Sequence, residues 1–574
     1  MHDIVIRGGK IVDGTGGASF TGDLAIDAER IVAVGAVETR GRREIDADGL
    51  IVTPGWVDVH THYDGQVTWD PEVSPSGWHG VTTVVVGNCG VGFAPARPNE
   101  RDWLIQLMEG VEDIPGTALA EGMTWGWETF AEYLDEVERM PRIVDVAAMV
   151  PHGALRAYVL GGERSNEMAS DDDIALMAKL AAEAIASGAV GVSTTRTLAH
   201  VDKDGSPAAG TFASPEELLA IGAALQGAGR RVFSVVSDHL FDGRAEAEFT
   251  WMAELSRRAR IPVTYMVLDV PIYPGAWRRA LDRGLELNRD GAWLVPQVAG
   301  KPASLMVGFE STYHLFSGHE NYRPLSALPH AEKIARLRDP VVRRAILGEP
   351  LSSSNPFVVI LHAQLANGNL YPLGDPPDYE PRRDESVVAL AARTGVSPLE
   401  AAYDLMLELD GHQLLYTPLL GYTDGNLDAL REGLMHPSTV LGLSDGGAHV
   451  GFICDGTMPT FMLTHWVRDR DEGETIPLEH AVHVQSERTA RLFGFGDRGV
   501  LRPGYAADVN VIDLDTLTLG PVGFAYDLPA GGKRLMQKAT GYAATVKSGA
   551  VVRERDESTG ERPGVLLRGP RSAS

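Results

Sequence analysis

Eight short apolar runs recur through the middle of the chain, at about residues 56–62, 81–86, 143–150, 189–194, 232–237, 261–268, 293–299 and 439–444, with helix-forming stretches between them. Strands that alternate with helices build parallel sheets, because each return to the sheet needs a helix-sized crossover. Eight such units predict an α/β fold, the (β/α)8 TIM barrel. Some helix starts are legible as well. Ser214-Pro215-Glu216-Glu217 offers an N-cap hydroxyl, a proline in the first turn and an acidic residue three places on. Ser170-Asp171-Asp172-Asp173 begins another helix, which Gly188 can end.

The two chain ends read differently. "DIVIRGGKIVDG" and "DLAIDAERIVAVG" near the start, and "YAADVNVIDLDTL" and "YAATVKSGAVVRERDESTGERPG" near the finish, are strand-and-turn sequence. They predict a small β-sandwich domain assembled from both ends, residues 1–52 and 491–574, around a barrel at 53–490. Two long insertions, at about 87–142 and 300–437, are expected to form lids or substrate walls, with Trp69, Trp78, Trp125, Trp127 and Tyr313 as aromatic candidates. Those rings would equally serve as the cores of their own segments.

Barrel chemistry sits at the C-terminal ends of the strands. The first run leads into "HTHYDG", which places His60 and His62 two apart and on one face of a strand. Two neutral imidazoles on one side begin a divalent-metal site, although a pair of polar residues at a strand end would look the same. The second run ends at Cys89, either a ligand thiolate or a structural buried thiol. The eighth, "TVLGLSDGGAH", delivers Asp445 and then His449 from a glycine-rich turn. An aspartate there can ligate a metal and accept a proton from the attacking water.

Taken in order along one barrel, "HTHYD", "GVTTVVVGNCG", "PHGALR", "GAVGVST", "LGLSDGGAH" and "RGVLRPGYAADVNVID" resemble the amidohydrolase superfamily, nearest its D-aminoacylase (N-acyl-D-amino-acid deacylase) branch. The resemblance spans nearly the whole chain. It implies a metal-dependent hydrolase of an amide-type C–N bond, with His60, His62, Cys89 and Asp445 holding the more buried metal and Asp445 as the catalytic residue. It also implies Zn²⁺ as the cofactor.

Departures from the family pattern bear on metal count and substrate. The branch carries metal-binding histidines at the ends of strands five and six, where this chain places Val236 and Val267. His239 lies three residues beyond the first of these positions. One zinc per chain is therefore favoured over two, with a mixed N/S/O donor set acceptable to that ion. The lysine that helps related deacylases bind a carboxylate is replaced by Asp269. Arg156 and Arg196 are candidates to take over that role. Asp64, His152, His200, His239 and His449 complete the residues expected to touch substrate or to orient the ligands.

Composition excludes some classes. With 51 basic and 78 acidic residues the formal net charge is −27, which argues against nucleic acid or an anionic membrane as partner. Two cysteines give no disulfide framework. The N-terminus lacks a signal-peptide pattern and no apolar run is long enough to cross a membrane, so a cytoplasmic enzyme with a small-molecule substrate is expected. A homo-oligomer is left open. The competing readings are a hydrolase of a cyclic amide or other non-peptide C–N bond, and an inactive barrel that binds a small ligand.

Overall fold

A computed structural model of the chain describes residues 1–229, 231–241 and 243–572. Eight parallel strands curl into a barrel: β1 (Trp56–Asp58), β2 (Val81–Val86), β3 (Asp145–Pro151), β4 (Gly191–Arg196), β5 (Val232–Ser237), β6 (Val263–Met266), β7 (Leu294–Val298) and β8 (Val440–Leu441). They pair in chain order from β1 to β8. The ring closes just beyond the regular strands, where Thr61 bridges Gly446. There the amide of His62 donates to Gly446 O at 2.8 Å and that of Asp445 to His60 O at 3.1 Å.

The first and last strands are shorter than the apolar runs suggest. Beyond Asp58 pairing continues only as the bridge at Thr61, while beyond Leu441 the backbone itself breaks from the strand. Leu443 and Asp445 take φ of 60° and 46°, in the left-handed region that interrupts a strand.

The helix starts fold as their residues dictate. Ser170 and Asp173 form a reciprocal capping box at the start of helix Asp171–Ser187, and Gly188 closes that helix at φ 125°. Ser214 Oγ accepts from the Glu217 amide at 3.2 Å. Tyr265 in β6 donates to Ala280 O of helix Ala276–Arg289, so its neighbours Thr264 and Met266 face the barrel interior. Phe233 in β5 likewise packs outward on Trp251, which turns Val236 inward.

Both chain ends enter one nine-stranded sheet, in which Ile51–Pro54 pairs with His2–Ile11 on one side and Val509–Ile512 on the other. Its inner face buries Ile4, Ile6, Leu24, Val509, Val511 and Val546. The first insertion carries helices Arg101–Glu112, Gly116–Gly122 and Phe130–Arg139, which pack into the barrel core. The second is mostly helical, with a core of its own around Phe309, Phe316 and Tyr403. Each such buried aromatic contributes roughly 1.5–3 kcal/mol. Trp127 is buried in the first insertion, where its Nε1 donates to Phe93 O at 2.7 Å beside Trp125. Tyr313 stacks on Phe357 and Phe452. Trp78 lies under Lys538, and Trp69 packs against the main core.

A hairpin of the C-terminal segment, Thr518–Leu528 with Gly532–Thr540, reaches across to the barrel mouth. The Leu535 amide donates to Val450 O at 2.7 Å, close to the turn after β8. Among the described residues no helix is long and apolar enough to cross a membrane.

Candidate active site

The site starts where β1 runs out. His60 and His62 follow Asp58, whose Oδ1 accepts from the His60 amide at 3.3 Å. Ser444 ties the other end: its hydroxyl donates to Asp58 Oδ2 at 2.5 Å and lies 3.0 Å from His60 O. β2 leads into Cys89 through Gly87, and the loop is held by buried Ser193 of β4, whose Oγ accepts from Gly90 N at 2.9 Å and donates to Gly87 O. Cys89, Asp445 and His449 adopt φ of 54°, 46° and 49°. Three non-glycine residues of one site in a strained region mark a place where side-chain position is bought at the backbone's expense.

These elements bring four donors together. His60 Nε2 lies 3.3 Å from Cys89 Sγ and 3.5 Å from Asp445 Oδ1. His62 Nε2 lies 3.8 Å from the same sulfur and 3.6 Å from the same oxygen. His60, His62 and Cys89 are buried, with one ligand atom from each within 4.8 Å of the others. A tetrahedral zinc bound at its usual nitrogen and sulfur distances would separate its donors by about 3.3–3.6 Å. His60, His62 and Cys89 fit such an ion, and Asp445 Oδ1, against both imidazoles, is the candidate for the fourth position.

The other nitrogen of each imidazole faces a side chain, in a hydrogen bond at His60 and across an unbonded 3.3 Å gap at His62. His60 Nδ1 donates to Gln297 Oε1 at 2.9 Å, which leaves Nε2 as the lone-pair nitrogen facing the cluster. His62 Nδ1 lies 3.3 Å from Oε1 of Glu112, a buried carboxylate at the end of helix Arg101–Glu112. Glu112 Oε2 is also 3.6 Å from His449 Nε2. Sequence reading missed both Gln297 and Glu112. No spacing rule links them to the histidines; a lone glutamate at the end of an insertion helix carries no signal of its own.

Electrostatics follow from burial. It pushes the His60 imidazole down to about 4 and the Cys89 thiol up to about 12. At His62 burial acts downward too, but Glu112 and Cys89 outweigh it and the pKa rises. Burial would raise Asp445, yet the hydrogen bond from His62 and the charges of His60, His62 and His449 hold the carboxyl well below its usual range. A buried thiol and a half-buried carboxylate beside two buried imidazoles form a pocket whose charges a divalent cation would balance.

The remaining expected residues divide. His200, half-buried, bonds Thr195 Oγ1 at 3.0 Å and lies close enough to His60, His62, Asp445 and His449 to feel their charge. Asp64 is buried near His62, with Oδ2 unpaired; burial pushes its carboxyl up to about 7. Others point away from the cluster. His152 is fixed between Thr194 Oγ1 at 2.9 Å and Glu217 Oε1 at 2.7 Å, and Arg156 pairs with the same glutamate. Arg196 is held by Glu248 at 2.9 Å over Trp251. Both guanidiniums are thus spent on buried glutamates, which corrects the expectation that they reach substrate. His239 packs between Phe249 and Tyr265, in the layer between barrel and helices, so it does not replace a strand-five ligand. Val236 and Val267 are buried and offer no donor atom. Asp269 accepts from the Thr423 amide at 3.3 Å.

Comparison with known proteins agrees with this architecture. D-aminoacylase of Alcaligenes xylosoxydans xylosoxydans is 28% identical over 98% of this chain and 97% of its own length. N-acyl-D-aspartate deacylase of the same organism is 27% identical over 98% and 95%. Among solved structures, a D-aminoacylase described as having a binuclear metal center matches with a TM-score of 0.66 at 24% identity, covering 99% of this chain and 100% of that one. N-acyl-D-glutamate deacylase from Bordetella bronchiseptica, complexed with zinc and a phosphonate inhibitor, matches with a TM-score of 0.64 at 22% identity and the same coverage. At these identities the two structures speak to the fold. The amidohydrolase family model matches residues 43–553, nearly the whole length, and on that match the chain belongs to the amidohydrolase family.

Proposed function

We propose that the protein is a deacylase that hydrolyses the amide bond of N-acyl amino acids, with one zinc ion held by His60, His62, Cys89 and Asp445. The two imidazoles carry the reading: their Nε2 atoms stand 3.3 and 3.8 Å from Cys89 Sγ and 3.5 and 3.6 Å from Asp445 Oδ1. The names of the full-length relatives, D-aminoacylase and N-acyl-D-aspartate deacylase, support the substrate class. A single ion is favoured because Val236 and Val267 supply no second ligand set.

A zinc ion bound there would polarise the scissile carbonyl and lower the pKa of the attacking water. The chain's own residues do the rest. Asp445, kept ionised by the neighbouring imidazoles, accepts the water's proton and returns it to the leaving nitrogen. Gln297 holds the His60 ring by a hydrogen bond so that Nε2 faces the cluster, and the Glu112 carboxylate stands 3.3 Å behind His62 Nδ1, where its charge favours the same orientation. His200 and His449 flank the opening, where a ring N–H can donate to the oxygen of the acyl group.

The test is metal analysis of the purified protein, together with turnover of N-acyl D- and L-amino acids, their amides and a cyclic amide. About one zinc per chain, with N-acyl amino acids turned over and activity lost in Asp445→Ala, is expected. Hydrolysis of the cyclic amide alone would replace the proposal with that activity. A protein that takes up no metal after growth in zinc would overturn it.

A further inference from the structure

At the opposite end of the barrel lies a cleft of about 1070 Å³. Trp293 and Val295 line it from the start of β7, and Thr439 and Val440 from the start of β8. β7 runs from this cleft towards Gln297, which holds His60, so the strand's length separates the cleft from the metal cluster.

Its walls are cationic in a chain of net charge −27. Five arginines and two histidines line it, against Glu487 as the one carboxylate among the described lining residues. Three of those arginines already face acids. Arg498 meets Asp145 at 2.5 Å, Arg571 meets Asp497 at 3.5 Å, and Arg491 reaches Glu487 at 3.8 Å. Arg488 and Arg502 do not. Arg488 donates to Pro437 O at 2.6 Å and His436 O at 3.4 Å, while Arg502 lies over the Tyr505 ring at 5.7 Å. Among the described residues neither makes an ion pair, and Arg488 feels only the charge of its chain neighbour Glu487. Burial lowers the Arg488 pKa, a cost that a bound anion would offset. Trp293, 40% exposed, and Tyr505 add aromatic surface beside these cations.

Arginine forks match phosphate oxygens in pairs, and aromatic faces stack on planar bases. The volume is on the scale of small-molecule pockets. We propose that this cleft is a second ligand site, which binds a phosphate-bearing small molecule of the nucleotide class through Arg488 and Arg502, with its base against Trp293 and Tyr505. The inference does not depend on the hydrolase reading, because it uses none of the residues of the metal cluster.

Calorimetric titration of the full-length protein with pyrophosphate and with ADP, at matched ionic strength, tests it. Both should saturate one site, ADP the more tightly. Arg488→Ala should weaken both by about tenfold or more. Arg502→Glu, at an exposed position that leaves the core untouched, should do the same even if the first variant folds poorly. No saturation by about 10 mM of either anion, a few kcal/mol at most, would overturn the site. So would unchanged affinity in Arg502→Glu, which would assign the binding to the metal cluster or elsewhere. Equal affinity for the two probes would overturn the aromatic half of the proposal. Light scattering that shows a dimer lost in Arg502→Glu, without any anion binding, would assign the cleft to a second copy of the chain instead.

Discussion

Glu112 and His62 face each other at 3.3 Å, one from a helix of the first insertion and the other from the end of the first barrel strand. Both are buried, and the same carboxylate reaches His449 on its other side. A carboxylate behind a ligating histidine fixes its tautomer and raises its basicity. Glu112→Gln keeps the shape and removes the charge. Zinc affinity, measured by chelator competition, should fall about 10–100-fold. An unchanged affinity would reduce Glu112 to a packing residue.

Asp445→Asn separates two roles of one side chain. The amide oxygen still faces His60 and His62, but it cannot accept a proton. Zinc should be retained in part while kcat falls by about 10²–10⁴-fold, the usual contribution of a general base. Equal loss of metal and activity would mean that Asp445 serves as ligand alone.

Metal titration of the stripped protein should restore activity to a plateau at about one equivalent of zinc, with no second tight class. The reason is the buried Val236 and Val267, together with His239 lying outside the barrel interior. Two tightly held equivalents would point to a second ligand set, such as Glu310, His330 and His412.

Glu217 joins His152 and Arg156 in a buried network. Burial would raise its carboxyl, but the hydrogen bond and charge of His152 and the charge of Arg156 outweigh it and bring the pKa down to about 2. A depressed folded-state pKa gives stability that is present above the unfolded value of 4.5 and lost as pH falls towards 2. Denaturant midpoints should drop over that window. Glu217→Gln should flatten the drop and cost about 3–5 kcal/mol at neutral pH, because it strands the buried Arg156. A variant with the parent's acid profile would place the acid sensitivity in other carboxylates.

Gly87 sits at φ +82°, and a Cβ there would come within 2.3 Å of Met149 O. Gly87→Ala should therefore cost about 1–2 kcal/mol in backbone strain alone, with the clash added. Two residues on stands Cys89, so zinc content should fall together with the melting temperature. A stable variant with a full metal complement would show that the loop can shift without moving the thiol.

Much of the barrel was legible because its determinants are local. Apolar runs of strand length, separated by Ser170-type and Ser214-type caps, specify strand and helix through hydrophobic patterning and unsatisfied amide groups, which neighbours in sequence supply. His60 and His62 share a face because two residues is the repeat of extended chain. That Cys89 and Asp445 belong with them was implied by the family resemblance that their strand-end motifs carry.

What lay beyond sequence is what depends on distant segments meeting. Arg156 and Arg196 looked available, and only packing brings Glu217 and Glu248 against them. His239 looked three residues from a ligand position, but an odd offset from Val236 puts it on the outward side with Phe233, in the layer of Phe249 and Tyr265. Gln297 and Glu112 come from β7 and from an insertion helix, with no spacing to announce them. The sequence by itself determined the strand order and which side chains stand at the strand ends, since periodicity is a property of neighbours along the chain. Only the tertiary structure decided which charges are already paired and which nitrogen of each histidine faces the cluster, because those depend on three-dimensional proximity between residues tens to hundreds of positions apart.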